Sequence, residues 1–76
     1  MFVVVKYNKT IEMVNLDNIT EIKCDYNNNI LVMYKDSGTW ANWTFKDNGA
    51  LTNAYNLIVD GLLENKKLIT ISEGLE

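Results

Sequence analysis

Cys24, Ser37, Ser72 and the carboxylates Glu12, Asp17, Glu21 and Asp25 are the groups on which covalent or acid–base catalysis could be built. Each lacks the partner its chemistry needs. The chain has no His, so the usual general base at neutral pH is missing. Cys24 alternates with Ile22 and Tyr26 and reads as a packed, inert thiol on an apolar face. Ser37 and Ser72 occupy turn-like surroundings. Paired carboxylates of the glycosidase kind must flank a cleft deep enough for a sugar. A single small layer of sheet and helix does not supply one, so the four read as solvated surface.

Metal and phosphate chemistry is equally thin. One Cys without His does not make a zinc site. Asp36-Ser37-Gly38 and Asp47-Asn48-Gly49 look like pieces of a calcium loop, yet neither continues to the distal Glu. Turn and helix-cap duty accounts for both. The four Gly lie too far apart to cradle a phosphate. The expectation is a non-enzymatic protein with no metal and no cofactor.

The elements that would position these groups are marked by their turns. Phe2 to Tyr7 and Thr10 to Asn15 flank Asn8-Lys9, a two-residue loop that predicts a hairpin with Val4 opposite Met13 and Lys6 opposite Ile11. Val3, Val5 and Val14 take its other face. Both faces are rather apolar, so the pattern does not choose the buried one and is compatible with cover on both sides. After Leu16-Asp17-Asn18, the stretch Ile19 to Tyr26 alternates Glu21, Lys23 and Asp25 with Ile22, Cys24 and Tyr26, the pattern of a half-buried strand. Asn27-Asn28 suits a tight turn with positive φ at both positions and pairs Cys24 with Leu31 and Ile22 with Met33. Asp36-Ser37-Gly38 suits a type I turn closed by a bulge Gly, which pairs Tyr34 with Trp40, Met33 with Ala41 and Leu31 with Trp43.

The two registers agree. One face collects Ile22, Cys24, Leu31, Met33, Ala41, Trp43 and Phe45, and reads as core. The other collects Glu21, Lys23, Asp25, Ile30, Val32, Tyr34, Trp40, Asn42 and Thr44. A helix capped by Asp47 or Asn48 follows, with Leu51, Ala54, Tyr55, Ile58 and Leu62 at helical spacing. Leu57 and Leu63 broaden that stripe. Asp47 and Lys66-Lys67 suit the two ends of the helix dipole. Gly61 beside the stripe costs up to about 1 kcal/mol against Ala unless a close approach to the sheet compensates. Leu68 to Ile71 is compatible with a last short strand. The fold class is therefore α+β: an antiparallel β-meander of about five strands packed on one amphipathic helix, in a single domain. The closing Leu75-Glu76 has the look of a cloning scar and is set aside.

Composition limits the partners. The net charge is −3, with seven Lys scattered along the chain and no Arg. That is not the concentrated basic footprint of a nucleic-acid binder, and it gains nothing from an anionic membrane. The apolar run Met1 to Val5 is too short for a signal peptide, and no segment approaches the roughly 20 apolar residues of a transmembrane helix. With a lone Cys, this points to the cytoplasm. Three Asn-X-Thr sequences therefore carry little weight as glycosylation sites. Richness in Asn, Lys and Ile without Arg, Pro or His is the bias of AT-rich codons, as in a low-GC bacterium or its phage.

What remains is the apolar stripe Ile30, Val32, Tyr34 and Trp40, rimmed by Glu21, Lys23 and Asp25. A cross-strand Tyr34–Trp40 pair stabilises a hairpin by about 0.2–1 kcal/mol, which is one explanation. A contact surface is the other, because Trp and Tyr are favoured interface anchors inside a polar rim. A homodimer with its twofold axis near the stripe is the simplest such partner. The alternative is a ligand-binding module that stacks a sugar or single-stranded nucleic acid on Tyr34 and Trp40.

The run Asn15-Leu16-Asp17-Asn18-Ile19-Thr20-Glu21-Ile22, then a strand, a polar Gly turn, a strand ending in Phe45 and a helix, resembles a pattern common in small bacterial proteins without assigned function. It is also similar to the last strands and terminal helix of pleckstrin-homology-like domains, over about two-thirds of the chain. The helix here lacks the Trp of many eukaryotic members. The shared motifs are structural and carry over no functional residue. The resemblance implies a binding module.

Overall fold

The computed structural model describes residues 1–36 and 38–76; Ser37, and the side chains of Thr39 and Trp40, lie outside the described residues. The strands are β1 (Phe2–Tyr7), β2 (Thr10–Asn15), β3 (Glu21–Asp25), β4 (Ile30–Lys35), β5 (Gly38–Thr44) and β6 (Leu68–Ile71), with helix α1 (Asn48–Leu63) before β6. The fold is α+β, with the strands in two mostly antiparallel sheets packed on the one helix. The meander breaks after β2. A 3-10 turn at Leu16–Asn18, in which the Asp17 amide donates to the Asn15 side-chain oxygen at 3.0 Å, redirects the chain. One sheet has the order β2-β1-β6 and the other β3-β4-β5. Strand β6 forms as expected, but lies parallel to β1.

The first hairpin has the expected register, with Val4 opposite Met13 and Lys6 opposite Ile11. Positive φ at Asn8 (46°) and Lys9 (63°) gives the turn the local twist that a two-residue hairpin loop requires. The inner face is the one carrying Val3, Val5 and Val14, all buried, while Ile11 and Met13 point to solvent.

In the second sheet the pairs Cys24–Leu31, Ile22–Met33, Met33–Ala41 and Leu31–Trp43 are as expected. The turn chemistry differs. Asn27 and Asn28 do not adopt positive φ; only Asn29 does, at 56°. The cause is Asp25, whose carboxylate accepts the amides of Asn27 (3.1 Å) and Asn28 (3.3 Å) and the Asn28 side-chain amide (2.9 Å). These bonds hold a longer Tyr26–Asn29 loop while leaving the register unchanged.

Helix α1 is capped by Asp47, whose carboxylate accepts the Ala50 amide at 2.8 Å. Its buried stripe is Leu51, Ala54, Ile58 and Gly61. Leu62, placed in the stripe by spacing, is half-exposed, as is Leu57, and Leu63 is more exposed still. The helix ends at Leu63, so Lys66 and Lys67 lie beyond its last turn. Gly61 has the close approach its position requires: an added Cβ would stand 2.8 Å from Ile69 Cγ2 and 3.2 Å from Met1 Sδ. Leu75-Glu76, set aside on sequence grounds, takes part in the fold. Leu75 bridges Phe45 and packs on the core, and Glu76 donates its amide to the Thr44 carbonyl at 3.1 Å.

The two sheets and the helix share one core, with Leu31, Met33, Trp43 and Phe45 from the second sheet meeting Val3, Val5, Ile69 and Ile71 from the first. A polar contact crosses between them. Glu12, expected at the surface, is half-buried and accepts hydrogen bonds from Tyr7 Oη (2.6 Å) and Trp43 Nε1 (2.9 Å). The carboxylate raises the Tyr7 phenol above its ordinary value of 10.0, because losing that proton breaks the bond and sets two anions together.

Replacing Gly61→Ala is expected to destabilise the protein by about 1 kcal/mol net, since crowding at Ile69 outweighs the gain in helix propensity. Urea unfolding measures this, and a more stable variant contradicts the packing. A phenol with a raised pKa in the fold adds stability that is fully present below pH 10 and lost as pH climbs through its folded value. A tyrosinate absorbance titration should therefore show a late phase that disappears in Tyr7→Phe.

Candidate interaction surface

Ile30, Val32 and Tyr34 lie half-buried on the side of β4 opposite Leu31 and Met33, which are fully buried. Alternation along the strand separates the two sets. The helix and the first sheet pack on the Leu31 side, leaving the stripe toward solvent. Across the sheet, Ile30 stands between Asp25 and Thr44, Val32 between Lys23 and Asn42, and Tyr34 between Glu21 and Thr39.

This last pairing corrects the expected one. Tyr34 is opposite Thr39, not Trp40, because the register shifts at Met33/Tyr34 and Lys35 meets Gly38 directly. The irregularity thus falls within the ladder rather than at the Gly, although Gly38 does take a positive φ of 130°. Trp40 becomes the extra residue of β5, and its side chain lies outside the described residues. The structure therefore brings together Ile30, Val32 and Tyr34 of the four expected site residues.

The rim is polar and arranged. The Lys23 ammonium stands 5.6 Å from the Tyr34 ring centroid and 3.7 Å from Glu21 Oε2. Three donor groups from the Asn27-Asn28 segment fix Asp25, and hydrogen bonding from Asn28, chiefly its side chain, holds the carboxyl below its ordinary 3.8. Behind the sheet, Cys24 is half-buried against the core, and desolvation pushes its thiol up from 9.0.

Three of the four carboxylates considered for catalysis hold the fold, and Glu21 stays at the surface beside Lys23. Glu12 joins the sheets, Asp17 meets the N-terminal ammonium at 3.2 Å, and Asp25 closes its loop. Among the described residues, no group of three or more His, Cys, Asp or Glu could hold a metal ion, and no helix is long and apolar enough to cross a membrane.

A second apolar surface escaped the choice of site. The outer face of the first sheet exposes Phe2 (40%), Ile11 (69%), Met13 (61%) and Leu68 (52%). The signal was present in the hairpin, whose two apolar faces can only both be buried if something covers the second. No protein-family model, curated protein or solved structure matches this chain.

Cys24 should react more slowly with a thiol reagent in the native protein than in urea at the same pH, because the thiolate is the nucleophile and burial disfavours it. Equal rates contradict its placement.

Proposed function

We propose that this protein is a non-enzymatic interaction module that docks protein, a second copy in the first instance, on the solvent face of its second sheet. The observation that carries the reading is the stripe Ile30, Val32 and Tyr34, set among Glu21, Lys23 and Asp25. An apolar centre inside a charged rim is the anatomy of a protein contact.

A stacking site for a base or sugar is less well supported. Lys23 already stands over the Tyr34 ring, where such a ligand would lie. The acidic chain also offers a phosphate backbone little attraction. An enzymatic role has equally little to draw on, since Glu12, Asp17 and Asp25 are engaged in structural bonds.

Sedimentation velocity at rising concentration tests the proposal. The wild-type protein should self-associate. Val32→Glu should remove one association step while leaving the unfolding midpoint within about 0.5 kcal/mol of wild type, as for a surface change. A variant that assembles like wild type rules out this face.

A further inference from the structure

The sheets expose four edges, and three of them are guarded. Strand β3 carries Glu21, Lys23 and Asp25 along its length. Strand β5 has the register shift at one end, and at the other the closing segment pairs beside it, with Lys46 N bonded to Gly74 O at 2.7 Å and Glu76 N to Thr44 O at 3.1 Å. Strand β6 is only four residues long and follows Lys66-Lys67. Charge, irregularity, cover and shortness are the usual devices that stop an edge from pairing with another chain.

Strand β2 carries only an inward-pointing acid, Glu12, whose two oxygens are already engaged, and otherwise has none of these. It is six residues long, pairs with β1 without a register shift, and contains no Pro. Its one charged residue, Glu12, is turned inward to Tyr7 and Trp43. The phase of its backbone follows from the residue after it, since Leu16 donates its amide to the Met1 carbonyl at 2.9 Å. Backbone direction alternates along a strand, so Val14, Glu12 and Thr10 also turn toward β1. Ile11, Met13 and Asn15 turn their amides and carbonyls to the open edge. Ile11 and Met13 are also the most exposed large apolar residues of the first sheet, at 69% and 61%.

We infer that β2 pairs antiparallel with β2 of a second copy, joining two three-stranded sheets into one of six strands. The outward set Ile11, Met13 and Asn15 is neutral and complementary to itself under a twofold axis. Two chains of net charge −3 can therefore meet here without like charges among the outward residues of β2. With Met13 opposite Met13 of the second copy, Ile11 faces its Asn15 and Glu12 faces its Val14, so the two acids are kept apart. This contact is separate from the second-sheet surface and does not rest on it.

Val32→Glu, Met13→Lys and the double variant separate the two contacts by sedimentation velocity. The inference expects Val32→Glu to form a dimer at high concentration and the double variant to be monomeric. In the Val32→Glu dimer, exchange of the Ile11, Met13 and Asn15 amides should slow by about tenfold or more relative to dilute protein. Monomeric Val32→Glu at every concentration, or unchanged exchange at those amides, overturns it. A Met13→Lys protein that self-associates while Val32→Glu does not leaves the second-sheet contact standing alone.

Discussion

The carboxylate of Glu12 is the constraint on which this fold turns. A chain of 76 residues divides its strands between two sheets and has one helix to cover both. Apolar packing supplies the attraction, but it is non-directional and does not by itself fix one sheet against the other. Glu12 does so from β2, with one oxygen on Tyr7 of its own hairpin and the other on Trp43 of the second sheet. A hydrogen bond to a charged group contributes about 1.5–3 kcal/mol, and its loss leaves a half-buried acceptor underused. In a domain of this size that is a large share of a total on the order of 5 kcal/mol. The same contact orients the Trp43 ring within the core and turns the only charge of β2 away from its open edge.

The second sheet was largely legible in the sequence. Two turns gave two registers, and the charges at Glu21, Lys23 and Asp25 made a one-residue slip costly. The core face, with Leu31, Met33, Trp43 and Phe45 buried, follows directly from that alternation. What the turns did not give was their own conformation. Asp25 bonds the loop that follows it, and the ladder absorbs its irregularity at Met33/Tyr34. Trp40 consequently lost the partner that made it part of a pair.

The first sheet was harder to read for a physical reason. Its hairpin is apolar on both faces, so alternation could not choose between them. Glu12 shares the inner face with Val14, yet a lone acid in a strand reads as solvent-facing until its donors are known. One of those donors, Trp43, is 31 residues away. Strand β6 could be located from its apolar run, but its parallel pairing with β1 is a long-range choice that local pattern does not encode. Leu75 was lost to the resemblance of two residues to a cloning scar. Alternation within the second sheet therefore made Ile30, Val32 and Tyr34 visible, whereas the place of Trp40 and the docking of the two sheets were not.

A double-mutant cycle between Glu12→Ala and Trp43→Phe, read by equilibrium urea unfolding, tests the central role of the clasp most directly. The cycle should show a coupling free energy of roughly 1–2 kcal/mol, in the range of directly bonded residues. Additivity of the two single effects to within about 0.5 kcal/mol would contradict the role of the Glu12 clasp in docking the sheets.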